Sequence, residues 1–330
     1  MKKAFTLIEL VVSVALLGII FLFAGVIFKV SINSYRTAIA NTEIMQKLRA
    51  ITDQLDADFE GLRKDGEIFV IWVAEPNSRE RFDKIMFFAD GDFQSYKPYG
   101  GDPIRGSVAR ICYMLAKRDG VAVQQQVPEK RILSRTQHIL TAKNALGLVD
   151  FPDVTSFNND DWRKWNNIAE YDKITLDGWK NMLLNKPDIL TVIADITVLP
   201  STVPEDARGT IVDTADANLI QNLLCEGVGE FKIQGWYAAE HRWVPDWGSG
   251  DFSGLNAGDV PGVLYPFPPY GRVVLGGSFK NNPFRELLNE AKFDYIPGLG
   301  QALKFSFTLY DSRGIIKEGR KFTHIVYLRK

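Results

Sequence analysis

The chain begins with a long apolar run that contains a single carboxylate. From Phe5 to Phe28, Glu9 is the only ionisable side chain, and Lys2 and Lys3 precede the run. About 20 residues at a rise of 1.5 Å cross the hydrocarbon core of a bilayer, so the run predicts a transmembrane helix over 5–29. An unpaired charge in that core costs about 2.5 kcal/mol or more. Glu9 therefore requires a partner.

A second hydrophobic pattern follows directly, with no proline, and with no glycine until Gly61. Its apolar residues alternate four and three positions apart, which places one apolar stripe along a helix. The stripe consists of Ile44, Leu48, Ile51, Leu55, Phe59 and Leu62. The pattern predicts an amphipathic helix over 30–64 that continues the membrane helix. Together they form one rod from about Thr6 to about Leu62, roughly 85 Å long.

The remaining residues, 65–330, have the pattern of a β-rich globular domain. The segments "IFVIWVA", "DKIMFFA" and "ARICYMLAK" are short apolar runs bounded by proline, glycine or aspartate. Phe305, Phe307 and Leu309 alternate with polar residues, as in a half-buried strand, and "YDSRG" then predicts a turn. A long helix whose apolar stripe is buried against one face of an antiparallel sheet gives an α+β fold.

Two stretches interrupt the strand pattern, and both are interpreted as insertions in this domain. Residues 141–188 include "DDWRKWNNIAEYDKITLDGWKNMLLNK", which predicts helix with Asp160 or Asp161 as the N-cap. Residues 241–300 are rich in glycine, proline and aromatic residues and predict long loops.

Composition and charge narrow the function classes. The chain has 330 residues and a formal net charge of −1, which gives no electrostatic reason to expect nucleic acid as a partner. The three histidines, His138, His241 and His324, are scattered, and no serine or cysteine stands in a nucleophile motif. We therefore expect a protein that is not an enzyme.

The cysteines and two acidic segments are the remaining candidates for site chemistry. Cys112 and Cys225 each lie in an apolar run and could form a disulfide in an oxidising compartment or remain two buried thiols. Asn158–Asp161 and Asp90–Asp92 could supply oxygen ligands to calcium. Neither segment has the EF-hand spacing, so solvated turns are favoured. We expect no cofactor.

The first residues, "KKAFTLIEL", resemble the class III leader of type IV pilins and type II secretion pseudopilins. Such a leader is short and basic, is cut just before Phe, and has Glu as the fifth residue of the mature chain. The resemblance implies a leader of residues 1–4, cleavage between Ala4 and Phe5 by a prepilin peptidase, and N-methylation of Phe5. It also implies that Glu9 neutralises the Phe5 amine of a neighbouring subunit during assembly. In the isolated subunit, Glu9 would pair with its own amine or reach interfacial water.

Two departures from the family pattern refine this interpretation. The family usually has glycine where this chain has Ala4, which predicts slower cleavage. Major pilins and the major pseudopilin generally carry proline at the position of Val26, so the resemblance implies a minor subunit. The segments "LRAITDQLDADFEGLRKD", "LLCEGVGEFKIQGWY", "ALKFSFTLYDSRG" and "KFTHIVYLRK" are similar to J-type minor pseudopilins and their minor-pilin relatives. The implied fold is pseudopilin-like with insertions.

The implied function is that of a minor pseudopilin or minor pilin near the tip of a type II secretion pseudopilus or type IV pilus-like filament. Its partners would be sibling pseudopilins through the N-terminal helix, the prepilin peptidase and the inner-membrane assembly platform, with nucleic acid only in a DNA-uptake machine. The chain would cross the bacterial inner membrane once, with its C-terminal domain periplasmic or extracellular, before assembly into a filament. The alternative is a signal-anchored periplasmic binding protein or enzyme whose N-terminus only resembles a pilin leader. That alternative leaves Glu9 unexplained.

Overall fold

A computed structural model describes residues 6–63, 68–71, 81–99, 102–118, 126–140, 170–172, 176, 211–212, 223–237, 241–244, 262–265 and 302–328. Within these residues the chain forms one long helix, α1, and two β-sheets. The helix spans Leu7–Glu60. The strands are β1 Ile68–Ile71, β2 Lys84–Tyr99, β3 Asp102–Arg118, β4 Ile132–Leu140, β5 Tyr171–Asp172, β6 Ile211–Val212, β7 Leu223–Glu226, β8 Val228–Tyr237, β9 Arg242–Val244, β10 Gly262–Tyr265, β11 Ala302–Leu309 and β12 Arg320–Tyr327.

The single rod predicted from the sequence is present as α1, and it divides into a bare half and a docked half. No residue from Leu7 to Ala38 is shielded by the domain, and the first buried position is Ala40. Beyond it, the stripe residues Ile44, Ile51 and Leu55 have no exposed surface. The helix is therefore held by the domain only through its C-terminal half.

The two sheets are built mainly from antiparallel pairs. The first has the order β10-β1-β2-β3-β4-β5, with β6 paired to β3 and β7 paired to β4, and the second has the order β12-β11-β8-β9. Among the described strands, β3 with β6 and β4 with β5 are the parallel pairs. This arrangement of one long helix on antiparallel sheets confirms the predicted α+β class.

The core forms where the apolar stripe of α1 meets the inner faces of both sheets. Phe59 stacks on Phe87 of β2 with ring centroids 4.3 Å apart and lies 5.7 Å from Phe305 of β11. Phe305 and Phe307 are buried in this core, as their alternation predicted. A single helix stripe therefore packs against both sheets.

Residues 81–83 connect the two sheets through the main chain. The Phe231 amide of β8 donates to the Arg81 carbonyl (3.0 Å), and the Asp83 amide donates to the Phe231 carbonyl (2.8 Å). The buried Arg81 guanidinium binds the Asp83 carboxylate, which also accepts a hydrogen bond of 2.7 Å from the Ile233 amide. These bonds hold the sheets together beneath the helix.

The C-terminal end of α1 is attached to β2 at a point where the sequence suggested a turn. The Asp90 amide donates to the Gly61 carbonyl (2.7 Å), and the Arg63 amide donates to the Phe88 carbonyl (2.9 Å). A Cβ on Gly61 would lie 2.1 Å from the Asp90 carbonyl oxygen, so this close approach requires glycine. Asp90–Asp92 consequently lie inside β2, where the register to β3 shifts, and the predicted turn is wrong.

Most of the two predicted insertions lies outside the described residues, including Asn158–Asp161. Within 141–188, β5 is a strand paired with β4 rather than part of a helix. Within 241–300, predicted as long loops, β9 pairs with β8 and β10 pairs with β1. These segments are strands because each forms main-chain hydrogen bonds with a neighbouring strand, and local composition does not reveal that pairing.

Candidate functional site

The N-terminal end of α1 is closed by a hydrogen-bonded capping box between Thr6 and Glu9. The Thr6 backbone is extended (φ −83°, ψ 149°), and its Oγ1 accepts from the Glu9 amide at 3.3 Å. In return, Oε2 of Glu9 accepts from the Thr6 amide at 3.0 Å and from the Thr6 hydroxyl at 2.9 Å. This reciprocal pair satisfies donors that a helix start otherwise leaves free.

Thr6 is the partner of Glu9 that the sequence reasoning missed. The Thr-x-x-Glu spacing is itself the signature of a capping box, so the signal was present in the sequence. The box gives the carboxylate two hydrogen-bond donors inside its own chain, the amide and the hydroxyl of Thr6. Ala4 and Phe5, the predicted processing residues, lie outside the described residues, and their roles stay predictions.

The bare half of α1 is long and apolar enough to cross a membrane, and none of its most apolar window is buried. Its side chains are exposed on every face, for example Leu7 at 81% and Phe28 at 71%. A surface this apolar is stable only in lipid or against other apolar helices. The bare half therefore fits a membrane anchor.

A polar contact fixes the membrane-proximal part of the docked half. Oε1 and Oε2 of Glu43 accept from the amide (2.8 Å) and the hydroxyl (3.0 Å) of Ser312, in the turn after β11. Lys47 Nζ donates to the Tyr310 carbonyl (2.7 Å) and pairs with Glu43 (2.9 Å). Burial opposes ionisation of Glu43, but Lys47 and Ser312 together outweigh it and lower the pKa of this carboxyl.

A buried ion pair fixes the far end of the docked half to the first sheet. The Asp58 carboxylate accepts from Nε (2.6 Å) and Nη2 (2.7 Å) of Arg135 on β4, and from the Tyr113 hydroxyl of β3. Gln54 Nε2 donates to the same carboxylate at 3.1 Å. Burial, followed by the charge of Asp58, raises the pKa of Tyr113 well above its ordinary value, so the phenol stays a donor.

A third contact joins α1 to the second sheet. Asp56 Oδ1 lies 2.8 Å from Nε2 of His324 on β12. With the contacts at Glu43 and Asp58, the docked half is fixed near both of its ends and to both sheets.

The two cysteines are separate buried thiols, so the disulfide alternative is not realised. Cys225 pairs across strands with Leu133 and faces the core beneath α1. Cys112 lies between Ile111 and Tyr113, which both face that core, so its side chain points to the opposite face of the sheet. Both are free. Burial raises the pKa of Cys225 to about 12 and also raises that of Cys112, which leaves both thiols unreactive at neutral pH.

Lys84 lies on that opposite face of the first sheet, and it is 7% exposed. Burial lowers its pKa from 10.5 to about 8, although the nearby Cys112 acts in the other direction. Since a tenfold change in a proton-binding constant is about 1.4 kcal/mol, keeping this amine charged in the folded state costs roughly 3 kcal/mol. The cost is full below about pH 8 and disappears as the pH rises towards 10.5.

We expect Lys84→Met to raise the free energy of unfolding at pH 7 by roughly 2–3 kcal/mol, because methionine fills the site without a charge. The gain should shrink as the pH rises above 8, where the lysine of the wild type loses its proton. Urea unfolding of the detergent-solubilised chain at pH 7 and pH 10 measures both. An equal gain at the two pH values would show that packing, and not desolvation of the ammonium, causes the effect.

Metal-binding side chains do not cluster in the part of the chain that the structure describes. No group of three or more His, Cys, Asp or Glu side chains suited to a metal ion occurs among the described residues. In Asp90–Asp92, which the sequence offered as a possible source of calcium ligands, Asp90 Oδ1 accepts from Arg63 Nη1 at 2.8 Å. This ion pair accounts for one carboxylate of that segment.

Comparison with known proteins identifies the N-terminal segment. A family model described as the prokaryotic N-terminal methylation motif matches residues 1–25, which include the capping box and most of the apolar run. Searches of curated proteins and of solved structures gave no match. The chain thus begins with an N-terminal methylation motif on a membrane-capable helix, which supports a type IV pilin-like or pseudopilin family and is consistent with a class III prepilin leader.

Proposed function

We propose that this protein is a minor pseudopilin or minor pilin, a structural subunit near the tip of a type II secretion pseudopilus or type IV pilus-like filament. The observation that carries the proposal is the methylation motif at the start of a helix whose first half is bare and whose second half is docked on the domain. A filament subunit needs both parts, because the bare half packs among neighbouring helices and the docked half carries the domain outward.

The minor role rests on the apolar helix itself. α1 is continuous through Val26, where major subunits carry proline, so the helix lacks the residue that favours local melting there. In this proposal the protein has no catalytic role and no cofactor. Its partners are a prepilin peptidase, an assembly platform and sibling subunits in the inner membrane, with the domain on the periplasmic or extracellular side.

We expect the mature chain to start at Phe5 and to carry an N-methyl group there. Removal of residues 1–4 takes away Lys2 and Lys3 and changes the formal net charge from −1 to −3. Intact-mass and N-terminal peptide mass spectrometry of the membrane-extracted protein measures the cut and the methyl group together. Cells that lack the prepilin peptidase are the control, and their chain should retain residues 1–4.

Two results would reject the proposal in favour of an anchored binding protein or enzyme. One is an intact N-terminus in cells with an active prepilin peptidase. The other is a cut after the apolar run, near Gly25, as a signal peptidase would make. Ala4→Gly provides a matched variant, because the family's usual glycine should speed cleavage at the same bond without moving it.

A further inference from the structure

The second sheet has one face in the core and one face turned away from α1. Phe231, Phe305 and Phe307 are buried in the core beneath the helix. Because side chains alternate along a strand, the residues between them point to the opposite face, the outer face of β12, β11, β8 and β9. Packing against α1 therefore explains the inner face only.

Aromatic side chains line up across one end of the outer face. Tyr327 of β12 pairs with Ala302 of β11. Trp236 of β8 pairs with Trp243 of β9, and the register of β11 with β8 places Ala302 beside Trp236. These four residues form one row across the sheet, the aromatic row. With strands about 4.8 Å apart, the row is roughly 14 Å long.

The rings of the aromatic row are held at defined angles outside the core. The two indole centroids lie 5.2 Å apart with the rings at 65°. The Lys304 ammonium lies 4.8 Å from the centroid of Trp243, and the His241 ring meets the Trp236 ring edge-on at 6.4 Å. Tyr327 is 75% exposed, both indoles are half-buried, and neither indole belongs to the core beneath α1. The row is therefore an aromatic surface.

The hairpin beside the row keeps an uncommon backbone conformation. His241 has a φ of 50°, in the left-handed region that residues other than glycine rarely adopt. Its imidazole is exposed and lies against Trp236. Backbone strain of this kind clusters at ligand-binding positions, which favours a binding role for the row.

The outer face carries more positive than negative charge, although the chain as a whole has a formal net charge of −1. Among its described residues, Lys232, Lys304 and Lys321 point outward, and Glu230 is the acidic one. Glu230 lies 3.9 Å from Lys321, and its side chain is only 17% exposed. The surface beside the aromatic row therefore attracts anionic ligands.

Ring faces and lysines side by side match a ligand that has flat apolar faces, hydroxyl groups and negative charge. The C–H face of a pyranose ring packs on an aromatic ring, while the Tyr327 hydroxyl and the His241 imidazole can hydrogen-bond its hydroxyl groups. A proline-rich peptide also docks on aromatic rings but has no charge for the lysines to meet. A nucleic acid carries a phosphate on every nucleotide and stacks its bases on ring faces, whereas here the two indoles stand at 65° and the lysines are few.

We propose that the outer face of the second sheet binds an acidic polysaccharide, a chain of pyranose rings that carry carboxylates. Its sugar rings pack on the aromatic row, and its carboxylates face the lysines in the neighbouring rows of the sheet. The inference goes beyond the proposed function, because it concerns a ligand of the domain and not the assembly of the helix. It holds whether or not the chain is cut before Phe5.

Isothermal titration calorimetry of the full-length chain with oligogalacturonate tests the site. The chain is kept in a detergent without a sugar headgroup, since alkyl glycosides would compete. We expect binding that Tyr327→Ala weakens at least about threefold, because the exposed ring packs on the ligand. Tyr96→Ala is the matched control, because Tyr96 is 66% exposed on β2 of the first sheet and its loss should leave the affinity unchanged. Equal affinities of the two variants, or no binding at millimolar probe, would overturn the proposal.

Charge reversal tests the role of the lysines. Lys232→Glu with Lys321→Glu should weaken binding of oligogalacturonate at least about fivefold, since each exposed pair changes an equilibrium by a factor of about 1.5 to 5. Arg313→Glu with Lys317→Glu is the matched control, because both side chains are exposed in the turn after β11 and the change in net charge is the same. Equal losses in the two double variants would show that net charge alone attracts the probe, and would overturn the site.

Two further probes identify the occupant. A neutral cello-oligosaccharide of the same length should bind at least about fivefold more weakly than oligogalacturonate, and a neutral sugar that binds as tightly would overturn the acidic ligand. A single-stranded oligonucleotide of the same charge should also bind more weakly. An oligonucleotide that binds more tightly, and loses that affinity in Tyr327→Ala, would overturn the polysaccharide in favour of nucleic acid.

Discussion

Replacing Asp58 with alanine is expected to lower the free energy of unfolding by about 3–5 kcal/mol, since it leaves a buried charge without its partner. The Asp58 carboxylate receives two hydrogen bonds from Arg135, one from Tyr113 and one from Gln54. The Arg135 side chain is only 14% exposed, so water replaces the lost carboxylate only in part. The helix would lose its main polar attachment to the first sheet. Urea unfolding of the detergent-solubilised chain measures the change.

Asp56→Ala is the matched control, because Asp56 is on the same turn of α1 but its side chain is 58% exposed in its pair with His324. Exposed pairs contribute at most about 1 kcal/mol, so this variant should unfold almost as the wild type does. A second test replaces Asp58 with leucine and Arg135 with methionine together, which removes both charges. That double variant should recover most of the lost stability. A loss below about 1 kcal/mol for Asp58→Ala would contradict the role assigned to the pair.

Local periodicity was sufficient to predict the helix and its buried side. The four-and-three spacing of Ile44, Ile51 and Leu55 is produced by helix geometry alone, and these residues are fully buried. In the same way, the alternation of Phe305 and Phe307 predicted which face of β11 packs inward. Each of these signals depends only on residues that are close in the sequence, within one or two turns of a helix or a few positions along a strand.

Features that join distant segments could not be predicted in this way. Asp58 binds Arg135, which is 77 residues away, and only the register of β3 and β4 brings the guanidinium under the helix. The Asp90–Asp92 segment has the composition of a turn, yet the bond from the Asp90 amide to Gly61 keeps it inside a strand. The first feature depends on a contact between segments far apart in the sequence, and in the second a tertiary contact overrides the local preference for a turn.

The candidate site falls between these cases. Glu9 was predicted to need a partner because its charge stands alone in an apolar run, and the capping box with Thr6 supplies one within the chain. That partner was readable from local spacing. The partner proposed for the assembled state, the Phe5 amine of a neighbour, belongs to another subunit, so the contacts of a single chain do not test it.

We expect Glu9→Val to leave membrane insertion and the cut before Phe5 largely intact while lowering incorporation into the filament at least about tenfold. Valine is apolar, so the helix enters lipid as readily, and Thr6 Oγ1 can still accept from the amide of residue 9. In the assembled bundle, however, the Phe5 amine of the neighbour would face no carboxylate, and an unpaired charge in an apolar environment is costly. Cross-linking and co-purification with sibling subunits measure incorporation.

Glu9→Gln separates the charge from the capping box. Glutamine at this position can still bond back to the Thr6 amide, so the helix start is preserved, but it cannot neutralise an amine. We therefore expect Glu9→Gln to assemble as poorly as Glu9→Val, and Glu9→Asp to retain part of the wild-type level. Thr6→Ala should assemble much better than Glu9→Gln or Glu9→Val. If Glu9→Gln assembles like the wild type, the hydrogen bonds to Thr6 explain the carboxylate and the neighbour's amine does not. A subunit at the very tip has fewer neighbouring amines within reach, so its loss would be smaller but in the same order among the variants.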